Sequence, residues 1–148
     1  MNNIPSPYFE NVPLIGNLHM HYMIFEDDYP VLFICSDEEY EYNLYICLCC
    51  DVRYEQRWLI APISRSKVVS LITDKITISD VFEKAEGNCY IARWTSNNGM
   101  SYEVITSDKF PKEDLPIEGE YLEAEEDDRD DMIQTLVNAA YNACGLPK

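Results

Sequence analysis

Three apolar runs, Tyr29-Pro-Val-Leu-Phe-Ile-Cys35, Tyr42-Asn-Leu-Tyr-Ile-Cys-Leu-Cys-Cys50 and Arg57-Trp-Leu-Ile-Ala-Pro-Ile63, decide the fold. Each is of strand length and rich in β-branched and aromatic residues, which suit a pleated, packed surface. The middle run hardly alternates, as expected of a strand buried on both faces. Pro30 fits the start of its strand, where a missing amide donor does least harm. Upstream, residues 18–26 are also rich in strand formers, and Glu26-Asp27-Asp28 supplies a polar turn. Ser36-Asp-Glu-Glu39 is a second such turn. The first sixty or so residues therefore read as an antiparallel meander.

Working outward, residues 1–17 contain Pro5, Pro7, Pro13 and Gly16 and read as an extended or irregular arm. Downstream of the meander, Ser64 or Ser66 can cap a short helix through Thr73, and Ser79 a second one ending before Gly87. Cys89-Tyr-Ile-Ala-Arg-Trp-Thr95 and Met100-Ser-Tyr-Glu-Val-Ile105 flank Asn98-Gly99, a strong hairpin signal because both residues tolerate positive φ. Residues 108–131 turn to acids and prolines and read as an exposed, movable connection. Asp128 or Asp130 can then cap a helix spanning 130–144, with Ile133, Leu136, Val137, Ala140, Tyr141 and Cys144 on one stripe. The expected architecture is a single α+β domain over 1–148: an antiparallel sheet of five or six strands, two short helices and a C-terminal amphipathic helix.

Charge is the second feature of the chain. The formal net charge is −16, and no lysine or arginine precedes Arg53. Residues 1–52 sum to −9, 53–107 to +1 and 108–148 to −8. Such a field repels nucleic acid and anionic membrane and draws basic protein surfaces, with rates that fall as salt rises. At 148 residues and 47% hydrophobic content, with eighteen aromatic residues, the chain nonetheless has the makings of a packed core. The start lacks the basic and apolar regions of a secretory signal, and no apolar stretch is long enough to span a bilayer. The expectation is a cytoplasmic protein with six reduced cysteines.

His19 and His21 share a strand face by spacing, as do Cys47 and Cys49, and this quartet would suit tetrahedral zinc if the strands met in register. No H-x-x-x-H and no knuckle glycine accompany them, so buried thiols beside half-exposed imidazoles are the simpler reading. A thiolate nucleophile needs an electropositive pocket, whereas both histidines lie in the most acidic third of the chain. Pairs such as Glu38 with Glu41 arise by chance among twenty-seven acids. No phosphate loop, nucleophile elbow or zinc-protease helix is present. The tail also lacks the glycine and spaced ligands of a calcium loop. No enzymatic activity and no cofactor are expected.

Three clusters of one sign remain: Asp27 and Asp28; Asp37, Glu38, Glu39 and Glu41; and Glu123, Glu125, Glu126, Asp127 and Asp128 with Asp130 and Asp131. A solvated surface is the plain reading. The functional one is imitation of a nucleic-acid backbone, which presents a charge about every 1.7 Å of duplex. Carboxylates on a rigid scaffold would then occupy a lysine and arginine channel, with Tyr40, Tyr42, Tyr54 and Tyr121 as aromatic anchors.

Tyr29-Pro-Val-Leu-Phe, Leu44-Tyr-Ile, Arg57-Trp-Leu-Ile-Ala-Pro-Ile-Ser64 and Ile76-Thr-Ile-Ser-Asp-Val-Phe82 together resemble a pattern in uncharacterised small bacterial proteins, over residues 20–85. The resemblance implies an α+β fold and brings no established activity to transfer. In size and acidity the chain is similar to phage counter-defence proteins, anti-CRISPR inhibitors among them, and to immunity proteins that neutralise nuclease toxins. The leading expectation is thus a non-enzymatic inhibitor that binds the basic surface of a nucleic-acid-handling protein such as a CRISPR effector nuclease, and neither nucleic acid nor membrane directly. An immunity protein, or an accessory domain with a merely solvated acidic surface, is the alternative.

Overall fold

A computed structural model describes residues 7–26, 30–37, 43–52 and 55–138. Seven strands form one sheet: β1 (Phe9–Val12), β2 (Gly16–Glu26), β3 (Pro30–Asp37), β4 (Leu44–Val52), β5 (Glu55–Ile63), β6 (Cys89–Thr95) and β7 (Gly99–Ile105). Each pairs antiparallel with its neighbours in chain order. The sheet curls into a nearly closed barrel, with α1 (Arg65–Ile72), α2 (Ile78–Glu83) and α3 (Glu126–Met132) short by comparison. The fold is therefore mainly antiparallel β, and the expected α+β domain with five or six strands is incorrect.

The physical reason for the difference lies at the two ends of the sheet. The proline-rich lead-in contains a strand, since Phe9 pairs with Leu18 and Val12 with Gly16. Strand β2 slips register three times against β3; bulges of this kind increase local twist and bend a sheet. Across the resulting seam the Tyr102 hydroxyl of β7 donates to the Glu10 carbonyl of β1 at 2.8 Å. Curling encloses one sheet face in itself, so helices cover only the other.

Alternation along the central strands sorts side chains into two cores, as a period of two requires. Phe33, Cys35, Tyr45, Cys47, Trp58, Ile60, Tyr90 and Ala92 fill the inside of the curl with Phe9, Val12 and Leu18. Phe9 lies edge-on to Trp58 at 5.5 Å and 80°, a favoured aromatic arrangement. Leu32, Ile34, Leu44, Ile46, Leu59, Ala61 and Ile91 face outward against Val68, Leu71, Ile72, Val81 and Phe82 of α1 and α2. The apolar run of β4 is thus buried on both faces.

Local chemistry sets the helix limits. Ser64 caps α1 by accepting from the Lys67 amide at 3.2 Å. Helix α2 is capped by Thr77, whose hydroxyl accepts from the Asp80 amide, while Ser79 is buried within the first turn. Helix α3 starts ahead of the expected residue 130, because Glu126, Asp127 and Asp128 occupy a first turn where the helix dipole favours acids. It passes into a π-helical segment, Ile133–Asn138; the remainder of the expected 130–144 helix lies outside the described residues.

The 108–131 connection is fastened to the barrel rather than free. Phe110 is 4% exposed and packs edge-on to Phe82, and Leu115, Leu122 and Ala124 rest on the outer core. Asp114 pairs with Arg57 of β5. The Ile78 amide donates to the Glu120 carbonyl at 2.9 Å.

Candidate functional site: an anchored acidic segment

The third acidic cluster, on the helix-covered side of the barrel, is the one the structure describes in full. Between 118 and 131 stand nine carboxylates, at Glu118, Glu120, Glu123, Glu125, Glu126, Asp127, Asp128, Asp130 and Asp131, and all nine residues are exposed. The one base among them, Arg129, gives its charge to Asp74 at 2.8 Å. Solvent therefore meets a surface of one sign.

Three ties hold this surface still. Asp74, just past α1 in a left-handed conformation (φ 59°), accepts from the Glu123 amide at 2.9 Å as well as from Arg129. Tyr22 on β2 donates to Asp131 at 2.5 Å. Burial, then that bond and the charges of Asp131 and Asp128, pushes the Tyr22 phenol up to about 12, so it remains a donor at neutral pH. His21, also on β2, places Nε2 3.2 Å from the Thr135 carbonyl. Met132 closes the underside at 4% exposure. The carboxylates are thus presented by a fixed backbone, which lowers the entropy lost on meeting a partner.

The other expected site residues fall differently. Asp37 is 6% exposed, and its carboxylate accepts from the Asn43 side chain at 2.8 Å. It helps close the connection between β3 and β4 and is not displayed to a partner. Asp27, Asp28, Glu38, Glu39, Tyr40, Glu41, Tyr42 and Tyr54 lie outside the described residues. Tyr121 is 41% exposed within the acidic segment, where an aromatic anchor was expected. Sequence reading missed Asp74, whose only signal was an isolated acid at the end of a helical pattern.

The zinc quartet does not assemble. Cys47 and Cys49 point into the curl, whereas His21 meets the C-terminal segment on the outer side, and β3 separates β2 from β4. Among the described residues no group of three or more metal-ligating side chains comes together. Burial, with Cys35 beside it, drives the Cys47 thiol well above its ordinary range. Burial likewise pushes Cys50 up to about 12 and Cys89 up to about 11. These three sulfurs are protonated at neutral pH, when nucleophilic chemistry would need thiolates.

Among the described residues, two hollows stand out on the surface. One, of about 860 Å³, lies where β4 begins and α1 starts, with Arg65, Lys67 and Glu86 in its lining. The other, of about 660 Å³, lies at the start of the acidic segment and is floored by Phe110 and Leu115. Neither contains a histidine or cysteine in its lining. Among the described residues no helix is long and apolar enough to cross a membrane.

No curated protein and no solved structure matches the chain. A family model does, over residues 7–142, which takes in all seven strands and the acidic segment. The chain belongs to that family, described as a family of unknown function (DUF6575).

Proposed function

We propose that this protein is a stoichiometric binding protein that engages a basic protein surface through the 118–131 segment, and so inhibits a nucleic-acid-handling protein by occupying the surface meant for nucleic acid. A CRISPR effector nuclease is one such target. The observation that carries the reading is the exposure of nine carboxylates on a backbone tied down by Asp74 and Tyr22. A surface needing only solubility gains nothing from being held in one geometry. A lysine and arginine channel, in contrast, rewards fixed spacing of opposing charges.

The test is affinity capture from host lysate at low and high salt, followed by mass spectrometry, with the native chain and a Glu126→Gln, Asp127→Asn, Asp128→Asn variant. The expected result is a basic partner retained at low salt, released at high salt and held at least about tenfold more weakly by the variant. A partner that binds both proteins equally, or none that salt releases, would overturn the reading.

A further inference from the structure

The hollow at the head of the acidic segment differs in chemistry from the segment itself. Its lining is mixed, with Phe110, Leu115, Pro116 and Ile117 among polar and charged groups; Phe110 is 4% exposed, and Leu115 rests on the outer core beside it. Pro116 and Ile117 form the rim, and Ile117 is 75% exposed. Ile117 is held outward by local geometry. The Glu120 amide donates back to the Ile117 carbonyl at 3.3 Å, and Gly119 takes the positive φ (85°) that the turn needs. The hollow, about 660 Å³, has room for one aliphatic or aromatic side chain and its flanking backbone.

The charges around it are mostly of one sign. Glu83, Asp108 and Glu118 line the rim, against the single base Lys112. From Glu118 the chain runs directly through Glu120 and Glu123 into α3, so an occupant of the hollow extends over carboxylates in that direction. An isolated exposed isoleucine needs no explanation. An isoleucine fixed at the lip of a hollow lined partly by apolar side chains, within a surface charged this heavily, is the make-up of an anchor pocket with a polar rim.

We infer that this hollow receives an apolar side chain flanked by lysines or arginines, on an exposed segment of a protein partner. The inference rests on the proposed binding of a basic surface and specifies what that surface must carry besides charge. Complementarity selects the occupant: an acidic segment is repelled along its length, and a purely basic one leaves Leu115, Pro116 and Ile117 unmatched.

Amide chemical-shift titration of the full chain tests this with two synthetic peptides, acetylated and amidated Lys-Lys-Leu-Lys-Lys and its counterpart with glycine at the centre. The leucine peptide is expected to shift amides over 110–120 saturably and to bind at least about tenfold more tightly than the glycine peptide. Ile117→Asp, at an exposed position that leaves the core intact, should erase that difference. If both peptides bind equally and shift only 120–131, the hollow is not an anchor pocket, although the charge reading survives. If neither shifts any amide of 118–131, both readings fail together.

Discussion

Asp74 holds Arg129 at 2.8 Å with one carboxylate oxygen and the Glu123 amide at 2.9 Å with the other, so a single side chain fixes the acidic segment at two points six residues apart. Replacing it tests how far the segment depends on that grip. Asp74→Ala loses both bonds and places a residue with less tolerance of positive φ at 59°. The pair is partly solvent-exposed, so the expected loss is about 1–2 kcal/mol. Asp74→Asn tolerates the same backbone and keeps an acceptor for Glu123, and should lose about half as much. Hydrogen exchange of the α3 amides, faster in both variants and fastest in Asp74→Ala, is the measurement; unchanged exchange would show the segment to be held by packing alone.

The seam between β1 and β7 gives a second prediction. Tyr102→Phe removes the hydroxyl that donates to the Glu10 carbonyl while keeping the ring on the inner core. Water can replace the lost donor at exposed Glu10, which limits the cost to about 1 kcal/mol. The loss should be local, with β1 amides exchanging faster while those of β4 and β5 are unaffected. Uniformly faster exchange would contradict a seam that opens on its own.

Stability should fall at alkaline pH. Burial pushes Tyr8, Tyr45 and Tyr102 each up to about 12 from an ordinary 10.0. A group raised in the folded state keeps its proton there longer than in the unfolded chain. Its contribution is therefore full below the unfolded value and is lost as pH climbs toward the folded one. Cys50 and Cys89, raised from 9.0 to about 12 and about 11, start the decline earlier. Denaturant midpoints should be flat from neutrality to about pH 9 and fall steadily beyond it; a midpoint constant to pH 11 would refute the shifts.

Arg57 and Asp114 form the most enclosed ion pair among those described, with side chains 19% and 7% exposed. Arg57→Ala leaves Asp114 charged and largely desolvated, which should cost about 2–3 kcal/mol and free the 112–114 turn. A double replacement, Arg57→Met with Asp114→Leu, should recover most of that stability, since two apolar groups of similar volume carry no desolvation penalty. Thermal melts of the single and double variants decide it. A double variant no more stable than the single would show that the pair itself drives the docking.

Added salt should stabilise this fold. Nine like charges within fourteen residues repel one another in the folded state, and screening relieves them over about 10 Å at 0.1 M. The melting temperature should rise between about 0.01 M and 0.5 M sodium chloride, and should rise less in the Glu126→Gln, Asp127→Asn, Asp128→Asn variant. Equal rises in the two proteins would place the repulsion elsewhere.

What could be read beforehand was what local pattern encodes. Six of the seven strands announce themselves through apolar runs, and Asn98-Gly99 marks the β6–β7 hairpin because both residues accept its geometry. Strand β1 was hidden: four residues among prolines carry no periodicity, and their strand character comes from pairing with β2. Curvature was equally silent, since the three register slips of β2 against β3 leave no local pattern in its sequence. The 108–131 connection looked free because its apolar residues, Phe110, Leu115, Leu122 and Ala124, dock singly without a helical or strand repeat. Of the acidic surface, composition revealed the charge but not the grip of Asp74 or the inward turn of Asp37 toward Asn43.

A meander that closes on itself also imposes an order of events during synthesis. Every strand pairing joins consecutive strands, and all but β5 with β6, which α1 and α2 separate, can form soon after both halves have emerged. The contact from Tyr102 to Glu10 spans 92 residues and stands apart from that local scheme. On the ribosome, which delivers about 5–20 residues per second, the earliest strand must wait several seconds for its last neighbour. During that interval Phe9 and Val12 line an open trough, so the nascent chain, more than the finished protein, is the form exposed to aggregation and to chaperones.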